Sequence, residues 1–286
     1  PHARNAVDGP TASLLHSAFL TFERDPAARV AVLYGDGGTF CAGADLKAMS
    51  LDGGKRSNRV DPVITDSSHG DDDGHTTNHG RESVNFQSGP MGPTRLQLSK
   101  PVISAIEGHA VAGGLELALW TDLRVASASA ILGVFCRRWG VPLIDGGTFR
   151  LPRIIGHGRA MDLILTGRPV TASEALDIGL VNRVVPSGHA RQAAERLAEE
   201  ISNFPQACMR TDRQSCREQW GATELQALER EYELGRTVLK EAVEGAVKFA
   251  KGAGRGGSFS AFKPNRTGSH DDDYGNDDND QPKSKL

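Results

Sequence analysis

Cysteine is scarce in this chain and follows no pattern. Its 286 residues hold four, Cys41, Cys136, Cys208 and Cys216. No two stand in a C-x-x-C spacing, so neither a zinc site nor a disulfide framework is signalled, and a reducing intracellular compartment fits. No apolar run approaches the ~20 residues that a membrane-spanning helix needs, so a membrane partner is not expected. Basic charge is not in excess either: 33 Lys and Arg against 36 Asp and Glu leave a net charge near −3. The cations are scattered rather than clustered, which argues against nucleic acid as the main partner. No internal repeat of fixed long period is present. Hydrophobic content is only 38%, but the shortfall falls in two polar stretches, so the remainder can still bury a core.

The first polar stretch, residues 51–96, is rich in Gly, Ser, Asp, Asn and His, with Asp71-Asp72-Asp73 and almost no apolar periodicity. It buries too little to offset its ordering entropy and reads as a disordered insertion. His69, His75 and His79 beside the aspartates show no metal-ligand spacing, and no metal is expected. The second, residues 253–286, reads as a disordered tail ending in Ser284-Lys285-Leu286. That tripeptide is a peroxisomal address read by an import receptor, so the expected location is the peroxisome. The chain begins at Pro1 without a methionine and reads as a fragment or a trimmed product.

Between these stretches, strand and helix signals alternate. Thr11 to Arg24 has helical spacing, Val30 to Tyr34 is a β-rich run, and Leu123–Ala126 and Ala130–Leu132 suggest short strands. Thr171-Ala172-Ser173-Glu174 reads as a capping box, followed by a helix to Gly179 and a strand from Leu180 to Val185. Ala190 to Phe204 is amphipathic, and a further helix begins near Thr223, carried on by Leu228, Tyr232, Leu239 and Val243. The pattern gives an α/β core over residues 1–50 and 97–186, then a helical C-terminal region over 187–252.

The central stretch is KPVISAIEGHAVAGGLELALWTDLRVAS, Lys100 to Ser127. Val102–Ile106 suits a buried strand, and Gly113-Gly114 lead into a buried helix carrying Glu116. Glycines at a strand-to-helix junction let backbone approach a ligand closely. The first N–H groups of a helix point outward as donors with partial positive charge. Such donors suit an oxygen that becomes negative during reaction. Glu116 beside them reads as an acid–base group or, equally simply, as a first-turn glutamate favoured by electrostatics. FCAGADLKAMS, Phe40 to Ser50, repeats the logic of strand, glycine turn and helix start.

FCAGADL, KPVISAIEGHAVAGGLELA, GGTFRLPRIIG and ALDIGLVNRVVP, in this order, resemble the crotonase superfamily of enoyl-CoA hydratases and isomerases. The resemblance implies a spiral of ββα units with a helical C-terminal region that assembles as a homotrimer or a dimer of trimers. It implies an acyl-CoA thioester as substrate, coenzyme A being part of it and no separate cofactor being needed. The thioester carbonyl is then held in an oxyanion hole by the N–H groups of Ala44 and Gly113. The acyl-CoA runs past Ala44, Asp45, Leu46 and Lys47, with Ala42, Gly114 and Cys136 also in contact and Arg4 near the nucleotide end. Glu116 matches the first of the family's two hydratase glutamates, and the second position falls on Cys136. Asp145, in the glycine turn that follows, is the candidate stand-in, although it reads equally as a cap of that turn. Cys136 has no histidine partner that would make it a nucleophile, and Arg137, Arg138 and Trp139 read as a solvated edge. Hydratase and isomerase both stay open, as does a non-catalytic acyl-CoA binder that has lost the second carboxylate.

Overall fold

The computed structural model describes residues 1–51 and 88–254. The chain enters helix α1 (Gly9–Arg24) with Asp8 accepting the Thr11 N–H and Pro10 in the first turn, a cap that satisfies one otherwise unpaired donor. Phe19 of α1 is buried edge-on to Trp120, with ring centroids 4.8 Å apart.

Among the described residues the strands are β1 (Ala31–Tyr34), β2 (Val102–Ile106), β3 (His109–Val111), β4 (Leu123–Ser127), β5 (Ile131–Gly133), β6 (Val170–Thr171) and β7 (Arg183–Val185). The helices after α1 are α2 (Leu46–Ser50), α3 (Gly113–Trp120), α4 (Gly147–Ile155), α5 (His157–Thr166), α6 (Ala172–Asp177), α7 (Ala190–Ser202), α8 (Gln206–Glu218), α9 (Glu224–Arg236) and α10 (Leu239–Ala250). One sheet is parallel throughout, in the order β1-β2-β4-β7. The other pairs β3 with β5 in parallel and β5 with β6 antiparallel. After β2 the chain crosses to β3 and then forms α3; after β4 it crosses to β5 and then forms α4. Each ββα unit thus places one strand in each sheet and the next unit lies alongside, which is the spiral that the resemblance implies.

All five residues of β2 are buried, as a strand in a parallel sheet covered on both faces must be. On one side α7 lays Ala190, Ala194 and Leu197 against Ile103, Ala105 and Val125. The one polar residue of β2, Ser104, accepts a hydrogen bond from the Thr121 hydroxyl at 3.0 Å. All eight residues of α3 are buried too. Each fully buried large aliphatic side chain contributes roughly 1.5–3 kcal/mol, so β2 and α3 anchor the core around which the loops are hung.

The structure corrects several boundaries. Pro90, Met91, Thr94 and Leu96, expected in a disordered insertion, are buried. Gly and Pro around Met91 hide any periodicity, yet Met91 and Leu96 both enter hydrophobic clusters. Residues 52–87, with His69, His75 and His79, and residues 255–286, with Ser284, Lys285 and Leu286, lie outside the described residues. The strand expected from Leu180 shrinks to β7, because the Leu180 and Val181 N–H groups close onto Ala175 O instead. The Thr171 hydroxyl does cap α6, accepting the Glu174 N–H. The Glu174 carboxylate, however, binds Arg168 rather than completing a capping box. Thr223 and Gln226 form a complete one at the start of α9. The last predicted helix is two, α9 and α10, and no residue of α8, α9 or α10 is buried.

Candidate active site

After β1 the chain returns as Phe40–Ala44 along the edge of β3. The Phe40 N–H donates to Glu107 O at 2.7 Å, Cys41 N–H to His109 O at 2.9 Å, and Val111 N–H to Cys41 O at 3.1 Å. This presses the Cys41–Ala44 loop against Ala112–Gly114, and glycine is required on both sides. A Cβ at Gly114 would overlap the Cys41 carbonyl oxygen. Gly43 has φ +99°, and a Cβ there would lie 2.9 Å from Ala112 Cβ. Ala112 itself holds φ 54°, a conformation costing on the order of 1–3 kcal/mol for a residue with a side chain. Its N–H donates to Gly133 O, and its carbonyl accepts the Leu115 and Glu116 N–H groups.

The N–H groups of Ala42, Asp45 and Ala112 are all bonded to backbone carbonyls. Those of Ala44 and Gly113 find no acceptor among the described residues, and both residues line one cavity of about 240 Å³. Gly113 opens α3, so its N–H carries the partial positive charge of a helix start. An oxygen placed between the two would meet donors that need no reorganisation.

Glu116, one turn into α3 and 2% exposed, lines the same cavity. Its Oε1 accepts the Asp145 N–H at 2.9 Å and the Gly147 N–H at 2.8 Å, which leaves Oε2 for the cavity. Burial, and next the nearby Asp145 carboxylate, push its pKa up to about 7, so it exchanges a proton near neutrality.

Asp145, 4% exposed, enters from the turn before α4 and also lines the cavity. Its Oδ1 accepts the Met91 N–H at 3.0 Å and the Thr94 hydroxyl. Burial raises its pKa; the Thr94 and Met91 hydrogen bonds and the Arg95 and Arg150 charges oppose that rise. The charge of Asp145 raises Glu116, so Asp145 ionises first and Glu116 keeps its proton longer. Two carboxyl groups whose surroundings separate their pKa values are suited to opposite roles as base and acid.

Cys136 lies in the 3₁₀ turn Phe135–Trp139, is buried and lines the cavity. Burial, then the Glu116 charge, raise its thiol, so it stays protonated and is a poor nucleophile. Arg137 and Arg138 are tied to the end of α5, donating to Ile164 O and Gly167 O. Trp139, 72% exposed, stands at the cavity mouth.

Of the residues picked from sequence, Ala42, Ala44, Leu46, Gly113, Glu116, Cys136 and Asp145 come together around this cavity. Arg4, Asp45, Lys47 and Gly114 do not line it. The Asp45 carboxylate caps α2, accepting the Lys47 and Ala48 N–H groups at 2.9 and 3.2 Å. Gly114 provides the close approach to Cys41, Lys47 is exposed on α2, and Arg4 is exposed with its carbonyl accepting the Ala42 N–H. Met49, Pro90, Met91, Phe135 and Ile144 line the cavity and were missed. The available signal was the change from Asp, Ser and His to Gly and Pro around Met91. Among the described residues no group of three His, Cys, Asp or Glu is placed to hold a metal ion.

Over residues 1–62 and 85–252 the chain matches the enoyl-CoA hydratase/isomerase family. It is 35% identical over 260 residues to enoyl-CoA hydratase EchA19 of Mycobacterium tuberculosis, covering 88% of this chain and 87% of that protein. It is 32% identical over 259 residues to carnitinyl-CoA dehydratase of Proteus mirabilis, covering 86% and 88%. Among solved structures, enoyl-CoA hydratase EchA1 of Mycobacterium marinum matches with a TM-score of 0.72 at 32% identity, over 88% of this chain and 89% of that one. An enoyl-CoA hydratase of Bacillus anthracis matches with a TM-score of 0.70 at 30% identity, over 87% and 89%. The fold, the two facing glycine loops and these matches make the chain a member of the enoyl-CoA hydratase/isomerase family, within the crotonase superfamily.

Proposed function

We propose that this protein is an enoyl-CoA hydratase, adding water across the double bond of a 2-enoyl-CoA to give a 3-hydroxyacyl-CoA, and running the reverse dehydration. The observation that carries this reading is the presence of two carboxyl groups of unlike proton affinity, Glu116 and Asp145, in one cavity with two unspent amide donors. The thioester oxygen sits between the Ala44 and Gly113 N–H groups, an oxyanion hole. Ionised Asp145 takes a proton from water as the water oxygen bonds to the β-carbon. The π electrons move to the thioester oxygen, where the two amides hold the enolate. Glu116 delivers its proton to the α-carbon, and the carbonyl re-forms. The two carboxyl groups then exchange the remaining proton through solvent. Loss of one such amide donor costs about 3–4 kcal/mol of barrier in enzymes that use one, and each acid–base group contributes about 10²–10⁴-fold.

Coenzyme A leaves as part of the product, so the reaction needs no separate cofactor. The terminal Ser284-Lys285-Leu286 supports recognition by a peroxisomal import receptor and a role in peroxisomal fatty-acid or acyl-CoA breakdown. The apolar side chains exposed on α9 and α10, among them Leu228, Tyr232, Val243 and Phe249, support a homotrimer or dimer of trimers.

Cys136 in the cavity where a second glutamate is expected favours the other two readings, isomerase and non-catalytic binder. Incubation of the full chain with crotonyl-CoA and with a 3-enoyl-CoA separates them. Hydration bleaches the conjugated thioester and yields the 3-hydroxy product. An isomerase instead creates conjugation from the 3-enoyl ester and leaves crotonyl-CoA untouched. A binder gives calorimetric heat with no turnover, and either of these last two results overturns the hydratase reading.

A further inference from the structure

The Asp145 carboxyl is held by a piece of chain that belongs to none of the ββα units. Gly89 and Gly92 exchange N–H···O bonds of 2.8 Å in both directions, closing a tight loop just after the polar stretch. That loop directs the Met91 N–H and, from the next turn, the Thr94 hydroxyl at Asp145 Oδ1. Thr94 is itself buried. A Cβ at Gly89 would overlap Thr94 Oγ1 and lie 2.8 Å from Asp145 Oδ1, so Gly89 packs directly against both oxygens. Arg150, on α4, then ties the two segments together. Its Nη1 donates to Asp145 O and its Nη2 to Thr94 O, each at 2.7 Å.

We propose that Thr94 is a positioning residue for the hydration reaction, that Arg150 is the strap that keeps it in place, and that together they make Asp145 Oδ2 the oxygen that handles the substrate water. The inference rests on the hydratase reading. With two donors on Oδ1, the proton that Asp145 gains in each turnover sits on Oδ2, toward the cavity. Without the Thr94 hydroxyl the carboxyl is free to rotate, and either oxygen takes the proton. The charged and titratable groups around Asp145 are Glu116 on α3, with Cys136 beside it, Arg95 in the 3₁₀ turn Pro93–Arg95, and Arg150. Replacement of Thr94 leaves all of them in place, so a change in pH profile reports on the hydroxyl.

The test is steady-state hydration of crotonyl-CoA by the full chain carrying Thr94→Val or Thr94→Ser. Thr94→Val is expected to lower kcat about 10–100-fold, in line with a reacting group misplaced by an ångström, with KM changed less than about twofold. The acid limb of its kcat/KM profile moves to higher pH, because a hydrogen bond to the ionised form of Asp145 is gone. Thr94→Ser restores both. In an Asp145→Asn background, Thr94→Val has no further effect on kcat. Arg150→Lys, whose single ammonium nitrogen replaces the two guanidinium nitrogens that reach separate carbonyls, gives the same signature more weakly, and it decides the matter if Thr94→Val does not fold. Wild-type kcat and pH profile in Thr94→Val overturn the inference, as does an equal loss with and without the Asp145 carboxylate. If the unaltered chain does not hydrate crotonyl-CoA, the hydratase reading fails instead, and the two failures are told apart.

Discussion

Glu116 sits in a stretch that is otherwise wholly apolar, and its environment sets two measurable properties. Its folded-state pKa, about 7, lies above the ordinary value of 4.5. The folded protein therefore binds more protons than the unfolded chain between those two values, and stability falls as pH rises through the window. Glu116→Gln removes that deficit while keeping an Oε1 acceptor for the Asp145 and Gly147 N–H groups. The variant is expected to gain roughly 2–4 kcal/mol of stability at pH 8 and nothing below pH 4.5, read from thermal melts across pH. A melting difference that does not vary with pH contradicts this. The same ordering predicts a bell-shaped kcat/KM profile, rising as Asp145 ionises and falling near pH 7 as Glu116 loses its proton. Glu116 was legible in the sequence because a glycine turn leading into an apolar helix makes a lone carboxylate stand out, whereas Ala44 and Gly113 were named through the resemblance to the crotonase superfamily. The partners of Asp145 were not. Thr94 and Met91 reach it across 51 and 54 positions, from a Gly- and Pro-rich segment without apolar periodicity.

At the scale of elements, the site depends on two loops meeting without side chains between them. Gly114 packs directly against the Cys41 carbonyl, and backbone there has nowhere to move without breaking the Val111-to-Cys41 hydrogen bond. Gly114→Ala is expected to lower stability by about 1–3 kcal/mol, as overpacking a tight core does, and to lower kcat more than KM. Calorimetric melting and steady-state assay together check this; an unchanged kcat would show that the loops tolerate separation. The strands β2 and β4 and the helices α3 and α7 were readable from apolar runs and helical spacing. The short strands β3 and β6 escaped, because two or three residues carry no period. The 3₁₀ turn Phe135–Trp139 escaped too; Arg137, Arg138 and Trp139 are exposed, as a solvated edge would be, and the two arginines also hold the end of α5.

At the scale of the molecule, the C-terminal helices after α7 bury no residue of their own and are tied to the core by polar contacts. Asp122 provides one, its Oδ1 accepting Arg213 Nε at 2.8 Å and Arg217 Nη1 at 3.2 Å while Oδ2 accepts the Val102 N–H. Asp122→Ala removes the acceptor of Arg213 Nε, Arg217 Nη1 and the Val102 N–H, Arg213 keeping Leu98 O, and is expected to cost about 2–4 kcal/mol. Thermal melting checks it, and a loss under ~0.5 kcal/mol would mean that α8 is held by other contacts. The exposed apolar side chains of α9 and α10 offer a surface for assembly: the proposed homotrimer or dimer of trimers should sediment as a trimer or a multiple of it, and a monomer at micromolar concentration would refute that. The α/β core and the helical C-terminal region were legible at this scale from the alternation of strand and helix signals, and the spiral of ββα units through the resemblance that the four motifs carry, whereas the exposed apolar face of α9 and α10 looks, in sequence, like any amphipathic helix. The proposed hydration rests on a single claim, that Glu116 transfers the proton at the α-carbon of a thioester gripped by Ala44 and Gly113. The most direct measurement is crotonyl-CoA hydration by Glu116→Gln. The rate should fall about 10²–10⁴-fold while the variant still binds the thioester, and a rate equal to that of the unaltered protein would contradict it.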